Sequence, residues 1–350
     1  MTRNLYIENL ERLESHFRRF GIEGDIALQV IAYSYIQQFN LGDLPEKLTS
    51  KFGLAYAKIQ GMDELKNLIN EVVSKDPLGQ NIHSWYQFFI SRKFREGSGK
   101  FFTPVSIASA MVSLIPEKED AIIMDPTCGG GIFLIEIAKR WKNRQCTLVA
   151  NDIDPSLIEL TLVALSLNSQ NNHKKHFICT DVFQPDLSFE RWYGKVDYIL
   201  ANPPFSLRIN SEKFVSPLSL AGYRSSDALF LDIVEKLLKP GGRIVCLLPH
   251  SIITNKEFSN LREIVEQYFY LVGIVSLPEG IFYMSAGTST RADIIVLQKK
   301  SIEIQPPTKV IFASVPSVGF NLNTRVKNSV KNDLDMLIQR TDVQEAFGVV

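Results

Sequence analysis

Two rhythms of hydrophobic spacing divide the chain. From residue 5 to about 95, apolar side chains recur three and four positions apart. Leu10, Leu13, Phe17 and Phe20 form one such series, and Leu28, Ile31, Ala32, Tyr35 and Ile36 another. That spacing keeps one face of a helix apolar. Asp63-Glu64-Leu65-Lys66 opens a further helix with Met62, Leu65, Leu68, Ile69 and Val72 on one side. Asp76-Pro77-Leu78-Gly79 predicts a turn, and residues 84–93 predict another helix.

After about residue 120 short apolar runs alternate with helical ones. Strands are expected at 121–125, 147–151, 176–179, 196–201 and 243–248, and helices at 132–141, 155–167, 227–238 and 257–269. Alternating strand and helix imply a parallel sheet covered by helices. Two last strands, 271–277 and 292–298, have only the loop 278–291 between them. An antiparallel pairing is open to them, because a parallel pair needs a helical crossover. Beyond about residue 300 the pattern weakens, with one helix expected at 332–340.

Composition narrows the picture. The 350 residues are 45% hydrophobic and 22% charged, with a formal net charge of zero. This argues against a surface coated in basic charge, as in a non-specific nucleic-acid binder, but not against a local basic groove or a basic partner subunit. Cys128, Cys146, Cys179 and Cys246 form no C-x-x-C pair and adjoin apolar runs, so buried free thiols and a reducing, cytosolic compartment are expected. The N-terminus has acids within its apolar pattern and no signal-peptide core. No apolar window reaches the ~18 residues of a membrane helix.

Ligands of an open α/β sheet bind outside the carboxyl ends of its strands, so the residues after each strand carry the functional information. The first strand runs into Asp125-Pro126-Thr127-Cys128-Gly129-Gly130-Gly131-Ile132-Phe133. Glycines allow close backbone approach and positive φ. The run lacks the G-x-G-x-x-G spacing and the Walker lysine, which disfavours dinucleotides and nucleoside triphosphates. An acid before the glycines suits an ammonium group. After the second strand, Asp152 stands where nucleotide-type folds hold ribose hydroxyls, while Asp154 is expected to cap the helix begun by Pro155. After the third, Asp181 has two readings, an acceptor for an adenine amino group or a turn aspartate.

After the fourth strand comes Asn202-Pro203-Pro204-Phe205. The two prolines freeze the turn. The Asn202 amide and the Pro203 carbonyl can accept hydrogen bonds from an exocyclic amine, and Phe205, expected in a surface loop, offers a flat apolar face. The set suits a planar amine-bearing ring such as adenine swung out of a duplex. A donor carrying both an ammonium and a ribose, S-adenosylmethionine, matches the acids. The histidines and cysteines make no metal-ligand cluster; His173 and His176 flank a lysine pair and are expected to be solvated loop and strand-start residues.

With these residues in hand, the chain resembles the modification subunit of type I restriction–modification systems, an N6-adenine DNA methyltransferase family. The resemblance runs from about residue 75 to 300. It is carried by Gly99-Lys100-Phe101-Phe102-Thr103-Pro104, by DPTCGGGIFL, by NPPF, by Lys239-Pro240-Gly241-Gly242-Arg243 leading to Leu248-Pro249-His250, by Leu277-Pro278-Glu279-Gly280-Ile281-Phe282 and by Gly287-Thr288-Ser289-Thr290. It departs from the family in loop 283–293, where Arg291 and Asp293 replace a more apolar stretch. The resemblance implies a Rossmann-like S-adenosylmethionine-dependent methyltransferase sheet behind an N-terminal helical domain. The expected division is 1–95 helical, 96–305 catalytic, and 306–350 a C-terminal extension for which truncation is an open alternative.

The resemblance implies methyl transfer to N6 of adenine in double-stranded DNA. Asn202, Pro203, Pro204 and Phe205 are the implied catalytic residues. The implied cofactor residues are Phe102, Thr103, Asp125, Pro126, Gly129, Gly131, Phe133, Asp152 and Asp181. NPPF-like tetrads also occur in methyltransferases acting on ribosomal RNA or on release factors, so an RNA or protein substrate stays open. A non-catalytic cofactor-binding assembly subunit is a further alternative. Sequence choice on DNA is expected from a separate specificity subunit, with a restriction subunit as a further partner, or from a C-terminal part absent here. The visible basic clusters are small: Arg92, Lys93, Arg95 and Lys100, and Arg325, Lys327 and Lys331.

Overall fold

The computed structural model describes residues 3–42, 44–79, 85, 89, 103–210, 213–282, 290–319 and 331–349. Two compact units emerge. One takes in Met1–Gly97, Gly129–Gly131 and Asp154–Ser169; the other takes in Ser98–Cys128, Ile132–Ile153 and Gln170–Val350.

The first unit is helical. Helices span Arg3–Arg19, Gly24–Phe39, Glu46–Ala57, Asp63–Ser74 and Pro155–Asn168. The periodic residues are its core: Leu13, Phe17, Leu28, Ile31, Tyr35, Leu65, Ile69 and Val72 are all buried. The Tyr35 hydroxyl donates to the buried Asp76 carboxylate at 2.8 Å, which satisfies the one polar atom of a ring placed in an apolar layer. Helix Pro155–Asn168 begins as its sequence predicts: Asp154 is the cap, its Oδ1 accepting from the Ser156 N–H at 3.0 Å. Most of expected helix 84–93 lies outside the described residues.

The second unit is built on one mixed sheet. Its strands are β1 Ala121–Asp125, β2 Cys146–Asn151, β3 His173–Ile178, β4 Val196–Ala201, β5 Leu238–Pro249, β6 Phe269–Ser276, β7 Ala292–Lys299 and β8 Ile311–Ser314. The spatial order is β3-β2-β1-β4-β5-β7-β6-β8. β7 runs antiparallel to both neighbours; every other pair is parallel. This is the antiparallel pairing that the sequence left open to these two strands. The core lies under the middle strands, where Met124, Val149, Ile199, Ile244 and Ile295 join Phe230 and Leu237 of helix Ser226–Leu237.

Three expectations are corrected. β3 starts at His173, three residues early, because pairing with Cys146 draws the lysine pair into the ladder. His173 is therefore buried, its Nε2 donating to the Trp141 carbonyl at 3.1 Å, and is not a solvated loop residue. Cys179 is exposed, unlike the other three thiols, because the chain has left the edge strand β3 by that point. Past residue 300, β8 adds a parallel strand beside β6 that the weak apolar pattern did not predict. No helix among the described residues is long and apolar enough to cross a membrane.

Candidate active site

The strand order reverses between β1 and β4: β2 and β3 follow on one side of β1, β4 and β5 on the other. At such a switch point the loops leaving the two strands diverge and open a crevice. The β1–β4 register pairs Met124 with Ile199. Extended one step, it sets Asp125 level with Leu200, so Asp125 and Asn202 end adjacent strands.

Asp125 is buried, 1% exposed. Its Oδ1 accepts from the Thr127 N–H at 3.1 Å, and its Oδ2 is buried with no hydrogen-bond partner. Burial holds this carboxyl well above the usual carboxylate range; the Thr127 N–H opposes that shift and the nearby Asp152 charge adds to it. Asp125 and Asp152 stand at the ends of the neighbouring strands β1 and β2, and the unused buried oxygen of Asp125 calls for a cation. Pro126 and Phe133 are buried as well, Phe133 at 2% exposed.

Gly129 and Gly131 adopt φ of 51° and 75°. A Cβ on Gly131 would stand 2.5 Å from Thr161 Cγ2, so only glycine fits there. The Thr161 hydroxyl donates to the Gly129 carbonyl at 2.8 Å and fixes the turn.

Asp152 follows β2 directly and is 8% exposed. The residue before it was not singled out by sequence, yet it organises the strand ends. Asn151 is fully buried; its Nδ2 donates to the Pro126 carbonyl at 2.8 Å and to the Thr180 carbonyl at 3.1 Å, and its Oδ1 accepts from the Thr180 N–H at 3.2 Å. One amide thus ties together the loops after β1, β2 and β3. An asparagine closing an apolar strand was the available signal. Asp181, of the two roles left open for it, is seen in a turn: Oδ1 accepts from the Phe183 N–H at 2.9 Å and Oδ2 from the Gln184 side chain at 3.3 Å.

Asn202 is partly buried, and its Nδ2 donates to the buried Thr103 hydroxyl at 3.1 Å. This orients the amide so that its oxygen is the group offered to an incoming donor. Thr103 is thereby brought to Asn202; Phe102 lies outside the described residues. Phe205 does not sit in a surface loop. It is 5% exposed, edge-on to Phe282 at 5.8 Å between centroids, because a ring flanked by apolar neighbours buries more area inward than outward.

Ser226 and Asp227, at the start of helix Ser226–Leu237, brace this loop. The Ser226 hydroxyl donates to the Pro204 carbonyl at 2.6 Å and accepts from the Leu207 N–H at 3.1 Å. Asp227 Oδ2 accepts from the N–H of Ser206, which carries a positive φ of 57°. In the sequence both residues look like ordinary helix-start residues. Among the basic clusters only Lys331 is described, exposed and paired with Asp333 at 2.9 Å.

Comparison with known proteins places the chain in a family. The family model described as N-6 DNA Methylase matches residues 75–344. The type I restriction enzyme MjaVII methylase subunit of Methanocaldococcus jannaschii is 24% identical over 307 residues, covering 81% of this chain and 51% of that protein. The type II methyltransferase M.VspI of Vibrio sp. is 23% identical over 273 residues, covering 75% and 63%. The chain thus spans between about half and two thirds of the length of these relatives. Among solved structures, a class I S-adenosylmethionine-dependent methyltransferase from Listeria monocytogenes superposes with a TM-score of 0.64 at 20% identity, covering 98% of this chain and 99% of that one. A type I restriction–modification methyltransferase subunit from Streptococcus thermophilus gives 0.63 at 17% identity, covering 92% and 74%. Both share the fold.

Proposed function

The chain belongs to the N-6 DNA methylase family, and from that premise we propose that it transfers a methyl group from S-adenosylmethionine to N6 of an adenine swung out of double-stranded DNA. The observation that carries the reading is the pairing, on adjacent strands at the switch point, of an acid with an unused buried oxygen and an amide oriented by Thr103. The residues at these strand ends fit the cofactor: Asp125 Oδ2 would supply a buried acceptor for its ammonium, and Asp152 an acceptor for its ribose hydroxyls. Pro126, Gly129, Gly131, Phe133 and Asp181 complete the proposed set, with Phe102 and Thr103 as its border.

When bound, S-adenosylmethionine supplies a methyl group on a positively charged sulfur. The residues of the chain do the rest by positioning. Asn202 Oδ1 and the Pro203 carbonyl accept the two amine hydrogens of the base, aim the nitrogen lone pair and raise electron density on it as it attacks. The Pro203-Pro204 turn, held by Ser226, stops these acceptors from drifting. Phe205 serves the base as an apolar wall, reached in part by the ring turning from its edge contact with Phe282. The Asn202 and Pro203 carbonyls hold the amine in line without acting as bases, so the proton it loses on methylation would pass to solvent water.

The relatives named methylase subunits of restriction enzymes support a further step: the chain acts as a modification subunit in the cytosol beside a separate specificity subunit and, in systems that carry one, a restriction subunit.

The test is nucleoside mass spectrometry on genomic DNA from a methylation-deficient host expressing this chain with the products of its neighbouring genes. N6-methyladenine should appear with the wild type and fall at least ~100-fold with Asn202→Ala, the scale set by loss of a positioned polar group. Cofactor affinity of the variant by calorimetry should stay within about twofold, since the amide touches the base. Label transferred to RNA or protein instead of DNA would overturn the substrate, and an active Asn202→Ala would remove the residue from the mechanism.

A further inference from the structure

His250 and Arg291 stand where β5 and β7 leave the sheet. The His250 N–H donates to the Arg291 carbonyl at 3.0 Å, one step beyond the Pro249–Ala292 pair. The antiparallel ladder therefore continues to these two residues. Side chains alternate along a strand, so Arg291 and Asp293 share a face. On that face the fully buried Asp293 carboxylate accepts from His250 Nδ1, with its two oxygens at 2.8 and 3.1 Å. A carboxylate can only accept, so Nδ1 carries the hydrogen and Nε2 is the nitrogen left to the solvent side of a ring 30% exposed.

Arg291 is partly buried, its Nε fully so and without a hydrogen-bond partner, and among the described residues no carboxylate pairs with its guanidinium. A buried nitrogen of an unpaired guanidinium is costly and calls for an anion. Arginine presents a planar fork that matches phosphate, and the imidazole held by Asp293 stands beside it on the same face.

The place is informative. β5 lies beside β4, and Ala201 pairs with Cys246, which sets Asn202 level with Leu247. His250 stands three residues further along, about 10 Å at the usual strand rise. S-adenosylmethionine carries no phosphate, so the anion of that class in the proposed reaction is the nucleic-acid strand. With a net charge of zero, the chain must hold strand phosphates through local cations of this kind.

We infer that Arg291 and His250, the latter oriented by Asp293, form a clamp for a phosphodiester of the substrate strand close to the target adenine. The inference rests on the methyl transfer to DNA proposed above. Its test is the KM for duplex DNA of the methylating complex, measured between about 50 and 200 mM salt. Arg291→Met should raise KM roughly tenfold, the worth of one charge-assisted hydrogen bond. It should also flatten the slope of log KM against log salt by about one. Arg291→Lys should restore the slope while keeping part of the KM defect, and His250→Gln should raise KM about threefold. The kcat at saturating DNA and the affinity for S-adenosylmethionine should stay within about twofold, which a merely structural arginine would not guarantee. If Arg291→Met fails to fold, Arg291→Gln carries the same expectation. An unchanged KM and slope, or a loss confined to kcat, overturns the clamp alone. A wild-type complex that methylates no adenine in DNA overturns the proposed function and the clamp together.

Discussion

At the scale of single residues, the site is defined by polar atoms placed where burial makes them costly. Asp125 is the clearest. Its folded-state pKa lies well above that of an exposed carboxyl, mainly through burial. The stability it contributes is therefore full below the unfolded-state carboxyl range and is lost as pH rises through the raised value. Asp125→Asn removes the buried charge while keeping the acceptor for the Thr127 N–H. At pH 7 the ligand-free variant should melt a few degrees higher than the wild type, at about 2–4 °C per kcal/mol gained. The gap should close in acid, where the wild-type carboxyl is protonated in both states. Affinity for S-adenosylmethionine should fall at least tenfold, the ammonium having lost its partner. Melting curves across pH and a calorimetric titration check both; a variant that melts lower at pH 7 would mean that the carboxylate is already compensated without ligand.

At the scale of elements, the Asn202–Phe205 loop owes its shape to a helix that follows it. Ser226→Ala deletes the bond to the partly buried Pro204 carbonyl, a cost of up to about 1–3 kcal/mol. The expected result is a kcat lower by about 5- to 150-fold with an unchanged cofactor affinity; equal activity would show that the two prolines hold the turn unaided. The contrast between loop and brace also explains what the sequence made legible. Asp154 capping Pro155, the glycine turn and the Asn-Pro-Pro turn are local devices, written in neighbouring residues, and so are the apolar periods of β1, β2, β4 and β5. What escaped depends on partners far along the chain. Phe205 is buried because Phe282 is there to meet it, and His173 because an edge strand pairs it with Cys146. β8 escaped because a half-exposed edge strand, with Phe312 70% exposed, has no continuous apolar run to announce it. Asn151 and Ser226 were visible as residue types, but their work is done across loops that only the folded strand order brings together.

At the scale of the whole molecule, the decisive quantity is charge. Lys and Arg number 38, as do Asp and Glu. Several lysines are already committed within the chain: Lys118 and Lys239 to the buried Asp197, Lys51 to Glu159 and Lys299 to Glu235. Binding to duplex DNA draws most of its strength from phosphates neutralised and counterions released, and that strength falls steeply as salt rises. Because its cations are spread among an equal number of acids, the chain is expected to hold only one or two phosphates beside the proposed flipped base. A tight sequence-specific site, with roughly six to ten phosphates neutralised, then calls for cations from a partner. The expectation is that the isolated chain binds a duplex only weakly at ~150 mM salt, with a log–log salt slope of about two or less. Adding the specificity subunit proposed as its partner should steepen that slope and raise affinity by at least ~1,000-fold for one sequence over others, the ordinary gap between specific and non-specific binding. Fluorescence anisotropy with the isolated chain and with the complex, over a salt series, separates the cases. Tight, steeply salt-dependent and sequence-selective binding by the isolated chain would show that recognition resides within these 350 residues.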